Sequence, residues 1–374
     1  MFEENKLKKS VRFRIYPNKE QVDLLNKTFG CCRLIYNKGL DLRQTSFSNG
    51  KSIGFNETSA MLTELKKQED YSFLKDVDSV ALQQSLRDLD KSFKNFFQKR
   101  AGFPKLKSKH NNKQSYRTIS KTIRLEDKFI RLPKLGLVKV KRSMDVGNIT
   151  SVTIEKTPTN KYFVVLNTEF NPVKLPISDK EIGIDVGIRT LYTDSNGNKI
   201  DSSHNLKKSL KKLAWEQRKL SRKEKGSNNR RKQRLKVARV HEKVTEQRKD
   251  FLHKVSTTLI EENQTVRVEN INVQDFVIKN GPGKRRKNIN RALADTSLYS
   301  FLSMLEYKGK WYGRNIVKVS SSFPSSEKCS SCGNVNPLVK DLSIRRWNCP
   351  KCGKEHDRDI NAAINILNEG VNLV

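Results

Sequence analysis

The chain has 374 residues and a formal net charge of +35, with 75 lysines and arginines against 40 aspartates and glutamates. This length allows two or three domains, and the charge favours a nucleic acid partner over a basic membrane-surface or ribosomal-type structural role, because each neutralised phosphate releases counterions. The sequence has no run of about 18 apolar residues, which excludes a transmembrane helix. Its first ten residues carry acids and no apolar core, so we expect no secretory signal and a cytoplasmic location.

The first strand and the first helix follow from the pattern near the N-terminus. The stretch VRFRIYP alternates apolar and basic residues, which predicts a half-buried strand with a basic outer face. Asn18 and Gln21 have the spacing of a capping box and predict the start of a helix. Cys31 and Cys32 follow in that helix. Because adjacent helical side chains point about 100° apart, we expect these cysteines to be buried rather than to share a metal.

The rest of the first half divides into a helical and a β region. Helical periodicity continues over residues 56–100, and the basic segment 101–117 predicts a loop that either contacts phosphates or is simply solvated. Short β segments separated by turns follow over residues 116–170. The pattern therefore predicts a β-barrel or sandwich that is interrupted by a helical insertion of about ninety residues.

A linker at residues 171–180 precedes a second domain that opens with the strand IGIDVG. The segment LYTDSNGNKI predicts a hairpin with an Asn-Gly turn, and residues 205–260 predict a basic helical hairpin with a break near 226–229. TVRVENINV and NIVKVSSSF each predict a strand. Between them, GPGKRRKNINR predicts a basic loop, and ADTSLYSFLSMLEYKGKWYG predicts a helix that Asp295 caps.

Four cysteines near the C-terminus have the spacing of a zinc ribbon. Cys329 and Cys332 form one C-x2-C pair, Cys349 and Cys352 form the second, and 16 residues separate the pairs. A two-residue gap lets two thiolates bind one tetrahedral ion, and a glycine follows each pair, where backbone amides must turn back toward the sulfurs. All four coordination positions would be filled, so we predict a structural Zn²⁺ ion rather than a catalytic one.

Asp185 and Glu269 are candidate ligands of a catalytic metal. Asp185 lies on a predicted strand between Gly183 and Gly187, whose missing side chains would leave open space for a hydrated metal and a phosphate. The alternative for Asp185 is a plain acid in a turn at the end of the strand. Glu269 ends the strand TVRVE, and the alternative there is a surface pair with Arg267 on the same face.

Asp359 is the third candidate. It begins DINAAINIL, a predicted amphipathic helix in which Ala362 and Ala363 lie beside Asp359 and let that turn press close to a sheet. Asp357 lies about 200° around the helix from Asp359 and is better explained as the N-cap. Three acids from two strands and a helix match a two-metal nuclease site, and carboxylates with water suit Mg²⁺.

Together these segments resemble the TnpB-type nucleases of insertion sequences. IGIDVGIRT, VRVENINV and CSSCG…WNCPKCGKEHDRDINAAINIL are similar, in order, to the three RuvC-type motifs and the inserted zinc ribbon of that family, and RFRIYPNKEQ and GFPKLKSK fit its N-terminal half. The resemblance implies a mixed α/β multidomain protein related to the type V CRISPR effectors. It implies a wedge β-barrel at 1–17 and 113–178, a helical recognition insertion at 18–112, and an RNase H-like RuvC nuclease domain at 179–374 with the zinc ribbon at 327–354.

The same resemblance implies an RNA-guided DNA endonuclease in the prokaryotic cytosol. Its partners would be a guide RNA from the transposon end and a double-stranded target DNA with a short adjacent motif. We expect one monomer per guide RNA and no membrane partner. The catalytic acids would be Asp185, Glu269 and Asp359, which would hold Mg²⁺, with two ions expected.

Two other functions are compatible with the residues. A guide-directed DNA-binding regulator that no longer cuts would keep the basic surface and the ribbon, but the presence of all three acids argues against it. A transposase that joins DNA ends itself could use the same acids. The sequence shows no identifiable helix-turn-helix for binding transposon ends, so RNA-guided cleavage is the favoured function.

Overall fold

The computed structural model contains two compact units, Met1–Asn171 and Pro172–Val374. None of the helices it describes is long and apolar enough to cross a membrane. The residues that it describes are 6–110, 113–119, 121–187, 190–201, 204–270, 297–341 and 343–369.

The first unit contains a seven-stranded antiparallel sheet. Its strands are β1 (Leu7–Tyr16), β2 (Gln114–Thr118), β3 (Arg124–Glu126), β4 (Phe129–Leu132), β5 (Gly136–Lys141), β6 (Asn148–Lys156) and β7 (Tyr162–Phe170). Their order is β2-β6-β7-β1-β5-β4-β3, and β1 joins the two halves because it pairs with both β7 and β5. Over the described residues β2 and β3 remain the edges, so the sheet is a curled half-barrel rather than a closed barrel or a sandwich.

Helices cover this sheet and share its core. They are α1 (Lys19–Ser48), α2 (Phe55–Leu65), α3 (Ser79–Phe97) and a 3-10 helix (Glu69–Lys75). The predicted capping box is present at α1, because the Gln21 amide donates to Asn18 Oδ1 at 2.8 Å and the Asn18 amide donates to Gln21 Oε1 at 3.0 Å. Cys31 and Cys32 are buried as expected, and burial raises the pKa of the Cys32 thiol to about 12.

The second unit contains a five-stranded mixed sheet. Its strands are β8 (Glu181–Val186), β9 (Thr190–Asp194), β10 (Lys199–Asp201), β11 (Thr265–Glu269) and β12 (Asn315–Val319). Their order is β10-β9-β8-β11-β12. Strands β8, β11 and β12 are parallel, β9 is antiparallel to β8, and β10 pairs antiparallel with β9 in the predicted hairpin. Since β8 and β11 run in the same direction, the ends that carry Asp185 and Glu269 reach the same edge of the sheet.

The described part of this unit contains four α-helices. They are α4 (His204–Ser221), α5 (Asn228–Glu262), α6 (Leu298–Tyr312) and α7 (Arg358–Glu369). α4 and α5 form the predicted helical hairpin, and Gly226, with φ of +91°, lies in the turn between them close to the expected break. α5 and α6 share a core with the apolar face of the sheet. The basic loop predicted at 281–291 and the cap Asp295 lie outside the described residues.

The segment between β12 and α7 folds around the four cysteines. It contains a 3-10 helix (Pro337–Lys340) and a small antiparallel sheet of β13 (Arg346–Asn348) and β14 (Glu355–Asp357). β14 leads directly into α7, since Asp357 is the last strand residue and Arg358 is the first helical one. The cysteine segment and α7 are therefore covalently continuous without an intervening loop.

Helix α7 packs directly on the backbone of β8. A Cβ atom at Gly183 would overlap the carbonyl oxygen of Ala363 and lie 2.7 Å from the amide nitrogen of Leu367, so only glycine fits there. The expectation that Gly183 leaves open space beside Asp185 is therefore wrong, because α7 fills that space. Ala362 and Ala363 are buried, as expected for a helix that presses close to a sheet.

Arg267 of β11 connects the C-terminal end of α7 to β11 and, through Glu181, to β8. Its guanidinium is buried, donates to the carbonyl oxygen of Leu367 at 2.5 Å and pairs with Glu181 at 2.9 Å. The last carbonyls of a helix have no intrahelical partner, so this contact satisfies one of them and complements the helix dipole. Since Arg267 pairs with Glu181, the alternative of a surface pair between Arg267 and Glu269 is wrong.

The Gly183→Ala variant tests the close packing of α7 on β8. We expect it to destabilise the second unit by about 1–3 kcal/mol, because overpacking forces backbone atoms apart. All three tryptophans lie in this unit, so urea unfolding followed by tryptophan fluorescence reports on it. The control is Gly102→Ala, at a glycine where an added Cβ atom would meet no other atom within 4 Å, and it should have almost no effect. Equal stability of both variants would show that the backbone of α7 does not contact β8 at Gly183.

Candidate functional site

Asp185 and Glu269 stand side by side at one edge of the sheet. Ile184 of β8 is paired with Val268 of β11, so the next residues of the two strands, Asp185 and Glu269, lie at the same level. Neighbouring strands are ~4.8 Å apart, and the alternation of side chains puts both acids on the face that packs against α7. Asp185 lies inside β8, which ends at Val186, so it is not simply an acid in a turn.

The N-terminus of α7 brings Asp359 to the same edge. Gly183 meets Ala363 and Leu367 farther along α7, and the charge of Asp359 acts on Asp185, so the first turn of the helix lies near Asp185. Asp357 is the N-cap, as predicted, because its Oδ1 accepts hydrogen bonds from the amide of Asp359 at 3.1 Å and from the amide of Ile360 at 3.2 Å.

The three acids share one electrostatic environment. Burial raises the pKa of Asp185 to about 8, and the negative charges of Asp359 and Glu269 act in the same direction against the opposing charges of Arg358 and Arg345. Burial also raises the pKa of Glu269. Without a cation, Asp185 therefore carries a proton at neutral pH, since ionising it would place another negative charge beside two acids in a partly desolvated site.

Two basic residues that the sequence analysis did not identify hold Asp359. Arg345 Nη1 lies 3.2 Å from Asp359 Oδ1, and Lys199 Nζ lies 2.7 Å from Asp357 Oδ2 and 3.9 Å from Asp359 Oδ2. Lys199 comes from β10 and Arg345 from the cysteine segment, so they reach Asp359 from different parts of the chain. No local pattern marks either residue, because 75 lysines and arginines are spread through the sequence.

The four cysteines converge on one point. Their sulfur atoms lie within 4.8 Å of one another, with 3.7 Å between Cys329 and Cys352 and 3.5 Å between Cys332 and Cys349. Thiolates at ~2.3 Å around a tetrahedral zinc ion are about 3.8 Å apart, so the spacing fits that ion. Among the described residues, this is the one set of three or more His, Cys, Asp or Glu side chains close enough to bind an ion, and the three acids do not form such a set.

Each C-x2-C pair is closed by a glycine in the left-handed region. Gly333 and Gly353 have φ of +76° and +70°, and their amides donate to the carbonyl oxygens of Cys329 and Cys349 at 2.9 and 2.8 Å. These two amides bond to backbone oxygens. Other amides of the same turns reach the sulfurs, as expected: Asn334 donates to Cys332, and Lys351 and Cys352 donate to Cys349. His356 is a further contact that the spacing did not indicate, with its Nε2 atom 3.1 Å from Cys329 Sγ.

The chain matches three family models. The model described as OrfB_IS605, "Probable transposase", matches residues 162–280, the model "Cas12f1-like, TNB domain" matches 299–366, and a model described as a helix-turn-helix domain matches 4–52. A Streptomyces pristinaespiralis protein named "Putative RNA-guided DNA endonuclease" is 40% identical over 370 residues, which cover 98% of this chain and 90% of the relative. The chain belongs to the TnpB family.

A second relative agrees with this assignment, and a solved structure shares the fold. The Escherichia coli K12 protein named "Putative RNA-guided DNA endonuclease InsQ" is 32% identical over 371 residues, covering 96% of this TnpB chain and 91% of the relative. The chain in "Cryo-EM structure of the Cas12f1-sgRNA-target DNA complex" is 15% identical with a TM-score of 0.56, covering 97% of this chain and 99% of that one. The two chains therefore share a mixed α/β fold.

The sequence predicts no identifiable helix-turn-helix, whereas a family model described as a helix-turn-helix domain matches residues 4–52. Of the matched residues, the structure describes 6–52, and these contain the strand β1 and one helix of 30 residues, α1. A helix-turn-helix motif consists of two helices joined by a short turn. The matched segment therefore does not have the geometry for which its model is named.

The raised pKa of Asp185 predicts how stability depends on pH. The folded protein keeps a proton on Asp185 that the unfolded chain releases above about pH 4, so this residue lowers stability as pH rises from about 4 to about 8. In buffer without divalent cations, Asp185→Asn should flatten the fall in unfolding free energy between pH 6 and pH 8, measured by urea titration. The exposed Asp179 provides the control variant Asp179→Asn, which should keep the wild-type slope. Identical slopes for all three proteins would contradict the prediction.

Cys349→Ser tests the cysteine cluster. We expect it to abolish zinc binding and to unfold the ribbon, because structural zinc contributes folding energy directly. Metal analysis of the purified protein and its solubility measure both effects. The control is Cys31→Ser, which alters a buried cysteine outside the ribbon and should leave zinc content unchanged. Full zinc retention in Cys349→Ser would exclude a four-cysteine site.

Proposed function

We propose that this TnpB protein is an RNA-guided DNA endonuclease that hydrolyses target phosphodiester bonds at Asp185, Glu269 and Asp359. The observation that carries the proposal is the meeting of β8, β11 and the first turn of α7 at one edge of the sheet. The strand order, with two parallel strands beside β8 and an antiparallel hairpin on its other side, supports an RNase H-like nuclease domain. The names of the relatives that cover nearly the whole chain support the same activity.

The acids suit magnesium in their chemistry. Mg²⁺ binds carboxylates and retains several waters, so the three side chains need not lie as close together as the four thiolates. When bound, a pair of such ions would stabilise the attacking and leaving oxygens of an in-line displacement. Asp185, Glu269 and Asp359 would hold the ions. Asp185 would lose its proton to do so, and Asp359 would exchange its contacts with Arg345 and Lys199 for the cation.

The helical hairpin supplies a surface for nucleic acid. Its exposed side is dominated by lysine and arginine, and the partly exposed Trp215 has Lys219 Nζ at 3.3 Å from its ring centroid. Such a surface binds phosphates by counterion release, and an exposed ring can stack on a base. The exposed basic residues of α4 and α5 include Lys208, Lys211, Lys212, Arg218, Lys219, Arg231, Lys232, Arg234, Lys236, Arg239 and Lys243.

In this proposal the guide RNA comes from the transposon end and base pairing reads the target sequence. The protein itself reads backbone shape and the short target-adjacent motif. The description "Probable transposase" for the model that matches 162–280 favours a second candidate, a transposase that acts on DNA ends without a guide. Sequencing of the RNA that copurifies with the protein separates the two, because only the guided enzyme requires a defined transposon-end RNA.

Single alanine variants of the three acids test the active site. Asp185→Ala, Glu269→Ala and Asp359→Ala should each reduce cleavage by at least about a hundredfold, since losing a metal ligand removes several kcal/mol of transition-state stabilisation. The assay uses purified protein with its co-expressed RNA and a plasmid that carries the matching target. Binding of the same target, measured by gel shift, should stay close to wild type.

The control for this series is Asp357→Asn, because asparagine also caps a helix and keeps α7 intact. We expect this variant to retain cleavage. Full cutting by Asp359→Ala together with loss of cutting by Asp357→Asn would transfer the metal-binding role to Asp357. Full cutting by Asp185→Ala would end the proposal, and an inactive wild type with normal target binding would favour a regulator.

A further inference from the structure

Helix α7 is held on two opposite sides, and only one of them belongs to the proposed nuclease site. The side that carries Asp359 and Ala363 faces β8. The other side carries Asn361 and Asn365, one helical turn apart and only 1% and 3% exposed. A carboxamide that is buried to this extent costs free energy unless it is hydrogen-bonded, so its partners are informative.

Both carboxamides bind the backbone next to Cys329, and Asn361 does so on both sides of it. Asn361 Oδ1 accepts from the Ser330 amide at 2.9 Å, and its Nδ2 donates to the Lys328 carbonyl at 2.8 Å. Asn365 Nδ2 donates to the same Lys328 carbonyl at 2.6 Å and to the Ser325 carbonyl at 2.8 Å. The orientation of the Asn361 amide follows from these partners, since an N–H can only donate and a carbonyl can only accept.

Cys329 is the fully buried member of the four-cysteine cluster. Its exposed fraction is 0%, whereas Cys352 is exposed, and His356 lies 3.1 Å from its sulfur. The backbone that Asn361 and Asn365 bind therefore flanks one of the four sulfurs that would hold the ion. An ion that fixes the Cys329 sulfur also fixes the neighbouring Lys328 carbonyl and Ser330 amide.

A second connection joins the cysteine segment to the start of α7. The Arg358 amide donates to the Arg345 carbonyl at 2.9 Å, and Arg358 Nη1 donates to the Asp341 carbonyl at 2.8 Å. α7 has 12 residues, and isolated helices of about this length are only marginally stable. The order of its first turn, where Asp359 lies, therefore depends on such contacts.

We propose that Asn361 and Asn365 are positioning residues that couple Asp359 to the metal-binding cysteines. The zinc-loaded ribbon would hold α7 in register through the two carboxamides, and α7 would in turn hold Asp359 at the level of Asp185 and Glu269. The inference rests on the proposed function in one respect, which is that the three acids bind divalent cations. It adds that the affinity of the acids for those cations depends on the ribbon.

The test measures Mn²⁺ binding to the full-length protein by electron paramagnetic resonance, without nucleic acid. The Mn²⁺ that is lost in Asp185→Ala defines the nuclease site. Asn361→Ala and Asn365→Ala should each weaken that binding by about tenfold or more, the range known for residues that orient metal ligands. Zinc content should stay at the wild-type level in both variants, because neither asparagine is a ligand.

Two control variants separate positioning from general destabilisation. Asn368→Ala removes an exposed asparagine from the same helix and should leave Mn²⁺ affinity unchanged. Leu305→Ala removes a fully buried side chain from α6, whose side chains pack against the opposite face of the sheet, so it should lower thermal stability without changing Mn²⁺ affinity in the folded protein. Weakened binding in Leu305→Ala equal to that in Asn361→Ala would overturn the proposal.

Removal of zinc tests the same coupling without any substitution in α7. Wild-type protein stripped of zinc, then freed of chelator, should show the same weakening of Mn²⁺ binding at the nuclease site. Unchanged Mn²⁺ affinity in zinc-stripped protein, or in both asparagine variants, would overturn the coupling while leaving the nuclease proposal intact. Unchanged Mn²⁺ binding in Asp185→Ala would instead show that the proposed function itself is wrong.

Discussion

The close approach of α7 to β8 is the contact on which the arrangement of the second unit depends. At Gly183 the helix backbone lies against the strand with no side chain between them, and the buried alanines of α7 allow the same close approach from the other side. This brings the first turn of α7 to the end of β8. Arg267 fixes the far end of the helix through the carbonyl of Leu367. The position of Asp359 is therefore a consequence of backbone packing.

The same contact brings three acidic side chains together, and their mutual repulsion is reduced by a raised pKa and by nearby basic groups. Asp185 lies near Glu269 and Asp359 in a site where burial disfavours charge, and its pKa rises to about 8. Arg345 and Lys199 compensate Asp359 from the outside. A chain with a net charge of +35 thus brings three acidic side chains together at one small site. In the proposed function, divalent cations would neutralise these carboxylates instead. They would replace the proton on Asp185 and the contacts of Asp359 with its basic partners.

Features that depend on residues close together in the sequence could be predicted. The capping box at Asn18, the N-cap at Asp357 and the C-x2-C pairs are all short-range features, and the structure confirms the two caps and the clustering of the cysteines. Gly183 shows the opposite case. The sequence predicts open space for a metal beside it, and this prediction is wrong, because the sequence does not show which element will pack against a glycine.

The contacts that hold the proposed site were not predictable in the same way. Asn361 and Asn365 have helical spacing, which indicates a shared face but not that the Cys329 backbone lies beneath it. In the sequence nothing distinguishes Lys199 and Arg345 from the other lysines and arginines. Only the folding of the hairpin β9–β10 and of the cysteine segment places them next to Asp359.

By itself the sequence determined the elements, the metal-binding cysteines, the candidate acids and the family resemblance, because these depend on residue type and spacing within short segments. Only the tertiary structure decided which charges compensate one another, what fills the space at Gly183, and how the ribbon is joined to α7. Those outcomes depend on hydrogen bonds and packing between residues that are far apart along the chain.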